Sequence, residues 1–100
     1  MGLPRQDLVL AIGEARDRAK ELLSLLESQG HPQTNESSSL YLALVTVQKR
    51  LRTVDPAPPP VARFVPELEE LVALCEGKLA PIKPLLEAAL RIARSAQTER

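Results

Sequence analysis

Apolar residues recur along this chain at alternating steps of three and four, and this spacing limits the fold more than any other feature. Such spacing places one apolar stripe along one side of an α-helix. Three candidate helices carry a stripe: Leu8, Ile12, Ala15, Ala19, Leu22 and Leu26 in the first, Leu40, Leu44, Val47, Leu51 and Val54 in the second, and Phe64, Leu68, Leu71 and Cys75 in the third. The stripes predict an all-α protein whose helices bury one side against each other.

The length of the chain and its choice of apolar residues support the same fold class. One hundred residues correspond to one domain. The apolar fraction is 44%, yet it includes one Phe, one Tyr and no Trp, so leucine and alanine dominate, and these favour helices over strands. We expect a single helical-bundle domain over residues 1–100 with an aliphatic core.

Proline, glycine and acidic residues set the expected bounds of the helices. Gly30 is a suitable C-terminal stop for the first helix, and Asn35 or Ser37 can cap the second. Pro66 followed by Glu67 in the first turn is typical of a helix start. The expected helices span about 4–28, 38–53, 66–77 and 81–96. A proline-rich linker, DPAPPP at residues 55–60, separates the second from the third and leaves their relative direction open.

The last two expected helices allow two arrangements. Gly77, Pro81 and Pro84 interrupt the sequence between them. If a new helix begins at Pro81, both prolines lie in a first turn where their missing N–H groups cost little, and the protein is a small four-helix bundle. If the apolar stripe instead continues from Cys75 through Leu79 without a break, the third helix is long and kinked, and the protein is a three-helix bundle.

Catalytic and metal-binding chemistry finds little support in the sequence. His31 is the only histidine and Cys75 the only cysteine, whereas a zinc site needs three or four ligands and a catalytic serine needs an oriented base. No glycine-rich phosphate loop is present. We therefore expect no enzyme activity, no metal and no cofactor. A single cysteine and the lack of a secretory signal or membrane span predict a cytoplasmic location.

The charge balance argues against nucleic acid as a partner. Thirteen basic residues balance thirteen acidic ones, whereas nucleic-acid-binding proteins usually carry a basic excess. One local basic cluster forms the alternative hypothesis of a small nucleic-acid-associated regulator, or of a contact with an anion or acidic partner: Lys49, Arg50, Arg52 and Arg63.

Apolar residues away from the stripes carry the main functional hypothesis. The second helix is apolar at nearly every position from Leu40 to Val47, and a helix that is apolar all round must be surrounded. Either this helix is the central element of the bundle, or another chain covers part of it. The sequence predicts a non-enzymatic protein–protein interaction module that is an adaptor, a regulatory protein or a self-associating subunit. The expected interface residues are Leu23, Leu25, Tyr41, Leu42 and Val45.

Overall fold

The structure, a computed structural model, describes residues 4–52 and 61–98, with side chains described for residues 5–52 and 61–95. In this part of the chain it contains four α-helices and no strand. They are α1 (Pro4–Gln29), α2 (Thr34–Arg52), α3 (Val65–Leu74) and α4 (Lys83–Thr98), with short 3₁₀ helices at Val61–Phe64 and Gly77–Ile82. The all-α fold and the four-helix bundle are confirmed. Val54 and the linker expected at residues 55–60 lie outside the described residues.

The apolar stripes form the core of the bundle. Nearly all of their described members are less than a tenth exposed, and Leu22 is the exception because it is only partly buried. The fourth helix contributes Leu86, Ala89, Leu90 and Ala93 to the same cluster. At about 25 cal/mol per Å² of buried apolar surface, this core is the main stabilising contribution to the bundle.

The turn between α1 and α2 follows from Gly30 and His31. Gly30 has φ +60°, its N–H donates to the Glu27 carbonyl, and the His31 N–H donates to the Leu26 carbonyl, which is the Schellman pattern of a helix end. The Thr34 hydroxyl then donates to the His31 carbonyl at 2.7 Å. This compact turn lets α2 begin at Thr34, four residues before the expected start.

The early start places Asn35 and Ser37 within α2 and not at its cap, so the expectation that either residue caps the helix is wrong. The Gln33 carbonyl accepts the Ser37 N–H at 2.9 Å, which is the first helical bond at this end. The fully buried Ser37 side chain therefore belongs to the core-facing side of α2.

The region between α3 and α4 distinguishes the two expected arrangements. α3 ends at Leu74, and the 3₁₀ helix Gly77–Ile82 separates it from α4. The chain leaves the helical conformation at Cys75, where ψ is 75°, and Gly77 with φ +59° adopts a left-handed conformation that a right-handed helix cannot include. Pro81 lies in the 3₁₀ helix and Pro84 in the first turn of α4, where a missing N–H is tolerated. The third and fourth helices are therefore separate.

The four helices do not pack equally against each other. α1 lies against both α2 and α4, and α3 lies mainly against α4. α1 and α2 are antiparallel, since the Arg5 guanidinium near the start of α1 donates to the Leu51 carbonyl near the end of α2. α2 and α3 make few direct contacts. α2 and α3 are therefore held beside each other largely through the other two helices.

Candidate protein-interaction surface

Three of the expected interface residues lie along the outside of the seam between α1 and α2. Tyr41 and Val45 are four residues apart, and Gln48 continues the same side of α2 (i, i+4, i+7) toward α1. Leu23 lies seven residues, or two helical turns, after Arg16 and is therefore on the same side of α1. The Arg16 guanidinium donates to the Gln48 side chain across the seam. The side chains of Leu23, Tyr41 and Val45 are half-buried. The structure therefore places these three residues on one side of the molecule.

The other two expected interface residues lie elsewhere. Leu25 is 52% exposed and lines an open groove with Leu22 and Pro81, on the side of α1 that faces the second 3₁₀ helix. Leu42 is 59% exposed and lies between the fully buried Leu40 and Leu44 in sequence, so it points away from the core. The five residues are thus distributed over three places and do not form one patch.

Gln48 is a buried polar residue that the stripe pattern did not identify. It is 5% exposed, and its side-chain oxygen accepts a hydrogen bond from Arg16. A Cβ atom at Gly13 would lie 3.1 Å from the Gln48 side-chain nitrogen. The sequence feature that could have indicated this close approach is Gly13, because a glycine inside a helix is unfavourable relative to alanine.

The bundle contains a groove between α2 and α3, which we call the α2–α3 groove. It has a volume of about 230 Å³ and is lined by Ala43, Thr46, Val47, Glu67, Glu70 and Leu71. Its floor is apolar, because Ala43, Val47 and Leu71 also contact the core cluster. Leu74, one turn beyond Leu71 on the same side of α3, is 47% exposed and extends the apolar surface.

Polar contacts hold the two ends of the α2–α3 groove. At one end, the Arg50 guanidinium lies 2.5 Å from a Glu67 carboxylate oxygen and 5.0 Å from the centre of the Phe64 ring. At the other end, the Gln33 side chain donates to the Glu76 carbonyl at 3.0 Å and accepts the Lys78 N–H at 2.9 Å. α2 and α3 make few direct contacts with each other, and these polar contacts join them near the start and just beyond the end of α3.

The residues of the expected basic cluster face different parts of the bundle. Arg50 contacts α3 through Glu67, whereas Arg52 lines a third groove with Val9 and Gly13 of α1. Lys49 and Arg63 are exposed. Arg50 and Arg52 thus lie on different sides of α2, and Arg50 already has a carboxylate partner.

The residues with potential chemical reactivity have structural roles. The ring nitrogen Nδ1 of His31 accepts the Gln33 N–H at 3.0 Å and so supports the turn before α2. Glu69 forms an ion pair with Arg94 of α4 at 3.1 Å. Within residues 4–52 and 61–98, no three His, Cys, Asp or Glu side chains form a group that could hold a metal ion.

Cys75 is buried at the end of α3, and its environment suppresses its reactivity. Its thiol donates to the Leu71 carbonyl at 3.3 Å. Burial raises the pKa of the Cys75 thiol from 9.0 to about 11, with the positive charge of Lys83 opposing and the negative charge of Glu87 adding to the rise. Because the folded state disfavours the thiolate, the free energy of unfolding should fall as the pH rises from 9.0 to about 11.

We expect the thiol of the folded protein to react with an aromatic disulfide reagent at pH 8 at least about 100-fold more slowly than the urea-unfolded chain. The raised pKa leaves less thiolate, and burial blocks access. Stopped-flow absorbance measures both rates, and a Cys75→Ala variant gives the background. Equal rates in the folded and unfolded chain would show that Cys75 is accessible and not part of the core.

Comparisons with known proteins add no relative to these observations. No family model, no curated protein and no solved structure matches the chain. Among the described helices, none has both the length and the apolar character needed to cross a membrane.

Proposed function

We propose that this protein is a non-enzymatic helical module that binds other proteins through the sides of α2 that the bundle leaves uncovered. One observation carries the proposal: α2 stays apolar on those sides. A helix on the surface of a bundle normally carries polar residues opposite its buried stripe, yet Leu42 is 59% exposed, Val45 is half-buried and Ala43 lines the α2–α3 groove. The roles consistent with such a surface are those of an adaptor, a regulatory protein or a self-associating subunit, and we expect it to act in the cytoplasm.

A quantitative capture experiment with matched variants tests this function. The wild-type protein and the variants Leu42→Asp, Ala43→Asp and Val45→Asp are immobilised separately, and proteins retained from an extract of the source cells are quantified by mass spectrometry. Lys20→Asp is the control, because Lys20 is exposed on α1 and its change adds the same carboxylate. Circular dichroism confirms that each variant is folded, and light scattering of the wild type detects a second copy as partner.

We expect at least one α2 variant to lose a defined set of proteins, or the self-association, by about tenfold or more, while Lys20→Asp retains it. Leu42→Asp should keep the helical signal and a thermal midpoint within a few degrees of the wild type, since exposed substitutions change stability by about 0.5 kcal/mol or less. If the wild type and all three α2 variants retain the same proteins and the wild type is monomeric, the proposed function is wrong.

A further inference from the structure

We infer that the α2–α3 groove receives an amphipathic helix of a partner protein that carries Lys or Arg beside its apolar face. This inference rests on the proposed function and specifies which side of α2 is used and what occupies it. The groove differs from the outer side of α2 because two helices form its walls and because polar contacts hold both of its ends. A surface whose walls are joined in this way loses little conformational entropy on binding.

The walls of the groove favour a helix over an extended peptide. Both α2 and α3 satisfy their backbone hydrogen bonds internally, so the groove has no strand edge with which an extended chain could pair. A buried peptide backbone must satisfy its own polar groups, and a helix does so without help from the groove. The apolar floor, formed by Ala43, Val47 and Leu71, suits the apolar side of such a helix. Leu74 lengthens this floor by one turn.

Charge at the rim of the groove selects a basic partner. Glu67 and Glu70 line the α3 side, and Glu36 lies seven residues before Ala43 on the same side of α2. Arg50 offsets the charge of Glu67, whereas among the described residues Glu36 accepts its hydrogen bond from the neutral Gln33 amide, at 3.3 Å. Glu36 and Glu70 therefore add carboxylate charge to the rim beyond the one carboxylate that Arg50 offsets.

The remaining polar group of the lining does not change this preference. The Thr46 hydroxyl donates to the Leu42 carbonyl at 2.9 Å within α2, so its hydrogen is not directed into the groove. The rim thus offers negative charge and acceptors to a ligand. Lys and Arg side chains, which are donors only, complement such a rim, and Asp, Glu or phosphate would be repelled.

Selection from a displayed library of helical peptides tests the inference. The full chain is immobilised at low salt, and 16-residue peptides with a helix-favouring frame and randomised positions on all sides are selected for binding. The dissociation constants of the enriched peptides are then measured by fluorescence anisotropy against the wild type, Ala43→Arg and Glu70→Lys. Two matched controls carry the same substitutions outside the groove: Ala73→Arg, at an exposed position on α3, and Glu87→Lys, at an exposed position on α4.

We expect enriched peptides to share leucine-type residues at i, i+4 and i+7 and Lys or Arg on the flanks. Ala43→Arg should weaken their binding by about tenfold or more by filling the floor. Glu70→Lys should weaken it by about three- to tenfold, with a smaller effect at high salt. Ala73→Arg and Glu87→Lys should leave the dissociation constants unchanged within about twofold, since neither residue lines the groove.

The other outcomes separate this inference from the proposed function. If the enriched peptides bind Ala43→Arg as tightly as the wild type, the inference that they occupy the α2–α3 groove is wrong. In that case, a loss of captured proteins caused by Leu42→Asp would still support the proposed function. Enrichment of acidic peptides, or a dimer of the wild type that Ala43→Arg dissociates, overturns the occupant inferred here. Failure to enrich any peptide, combined with failure of the capture experiment, removes both proposals.

Discussion

Replacing Phe64 by alanine should lower the free energy of unfolding by about 3–5 kcal/mol, the usual cost of removing a buried aromatic ring. Phe64 is fully buried and immediately precedes α3. Its ring also lies beneath the Arg50 guanidinium, 5.0 Å from ring centre to guanidinium carbon, and such a contact at the surface contributes about 0.5–1 kcal/mol. Since a domain of this size is stable by only about 5–15 kcal/mol, this single change removes a large fraction of the stability.

Urea denaturation followed by circular dichroism measures this effect. With a denaturant dependence of about 1–3 kcal/mol per molar urea, we expect the midpoint of Phe64→Ala to fall by about 2 M. Tyr41→Ala is the matched control, because Tyr41 is the other aromatic residue of the chain and is only half-buried. Phe64→Leu should cost about 1.5 kcal/mol or less, since it keeps most of the buried volume. Equal losses for Phe64→Ala and Tyr41→Ala would show that Phe64 is not a central core residue.

The core could be predicted from the sequence because burial in a helix follows a local rule. Residues three and four apart share a side of the helix, so the spacing of Leu8, Ile12, Ala15 and Ala19 was sufficient to predict that they are buried. Gly30 also acts as expected, because a left-handed glycine ends a helix through bonds to the preceding turn. Such features need no knowledge of distant residues.

The candidate site could not be predicted in the same way, because it depends on which helices pack together. Helical spacing shows that Ala43 and Leu71 are apolar, and it does not show that α2 and α3 lie apart with a groove between them. The Gln33 contacts with Glu76 and Lys78 join residues more than 40 positions apart. They link a side-chain amide to backbone groups, and such contacts produce no periodic pattern in the sequence. Leu42 shows the same difficulty: it is exposed because none of the described helices packs on that side of α2.

The start of α2 illustrates how one local signal overrides another. Asn35 and Ser37 are good capping residues, and they predicted a start near residue 38. The His31 carbonyl and ring instead accept hydrogen bonds from Thr34 and Gln33, which brings the helix start forward. Gln33 then lies directly before α2, from where its side chain reaches the chain after α3.

Gly77→Ala should lower the free energy of unfolding by about 2–4 kcal/mol through two separate effects. The first is backbone strain of about 1 kcal/mol or more, because φ is +59° at this residue. The second arises from Gln33, since a Cβ atom at position 77 would lie 2.6 Å from the Gln33 side-chain oxygen. The Gln33 side chain must move away and lose its bonds to Glu76 and Lys78, each contributing about 0.5–1.5 kcal/mol.

A double-mutant cycle separates these two effects and tests whether Gln33 holds the end of the α2–α3 groove. Gly30→Ala is the control for strain alone, because Gly30 has φ +60° with open space around its Cα. If the contact with Gln33 is responsible for the second effect, Gly77→Ala in a Gln33→Ala background should cost no more than Gly30→Ala, which leaves a coupling of about 1–3 kcal/mol. Additive losses would mean that Gln33 does not hold this end, and that the Arg50–Glu67 contact and the core position α3 beside α2.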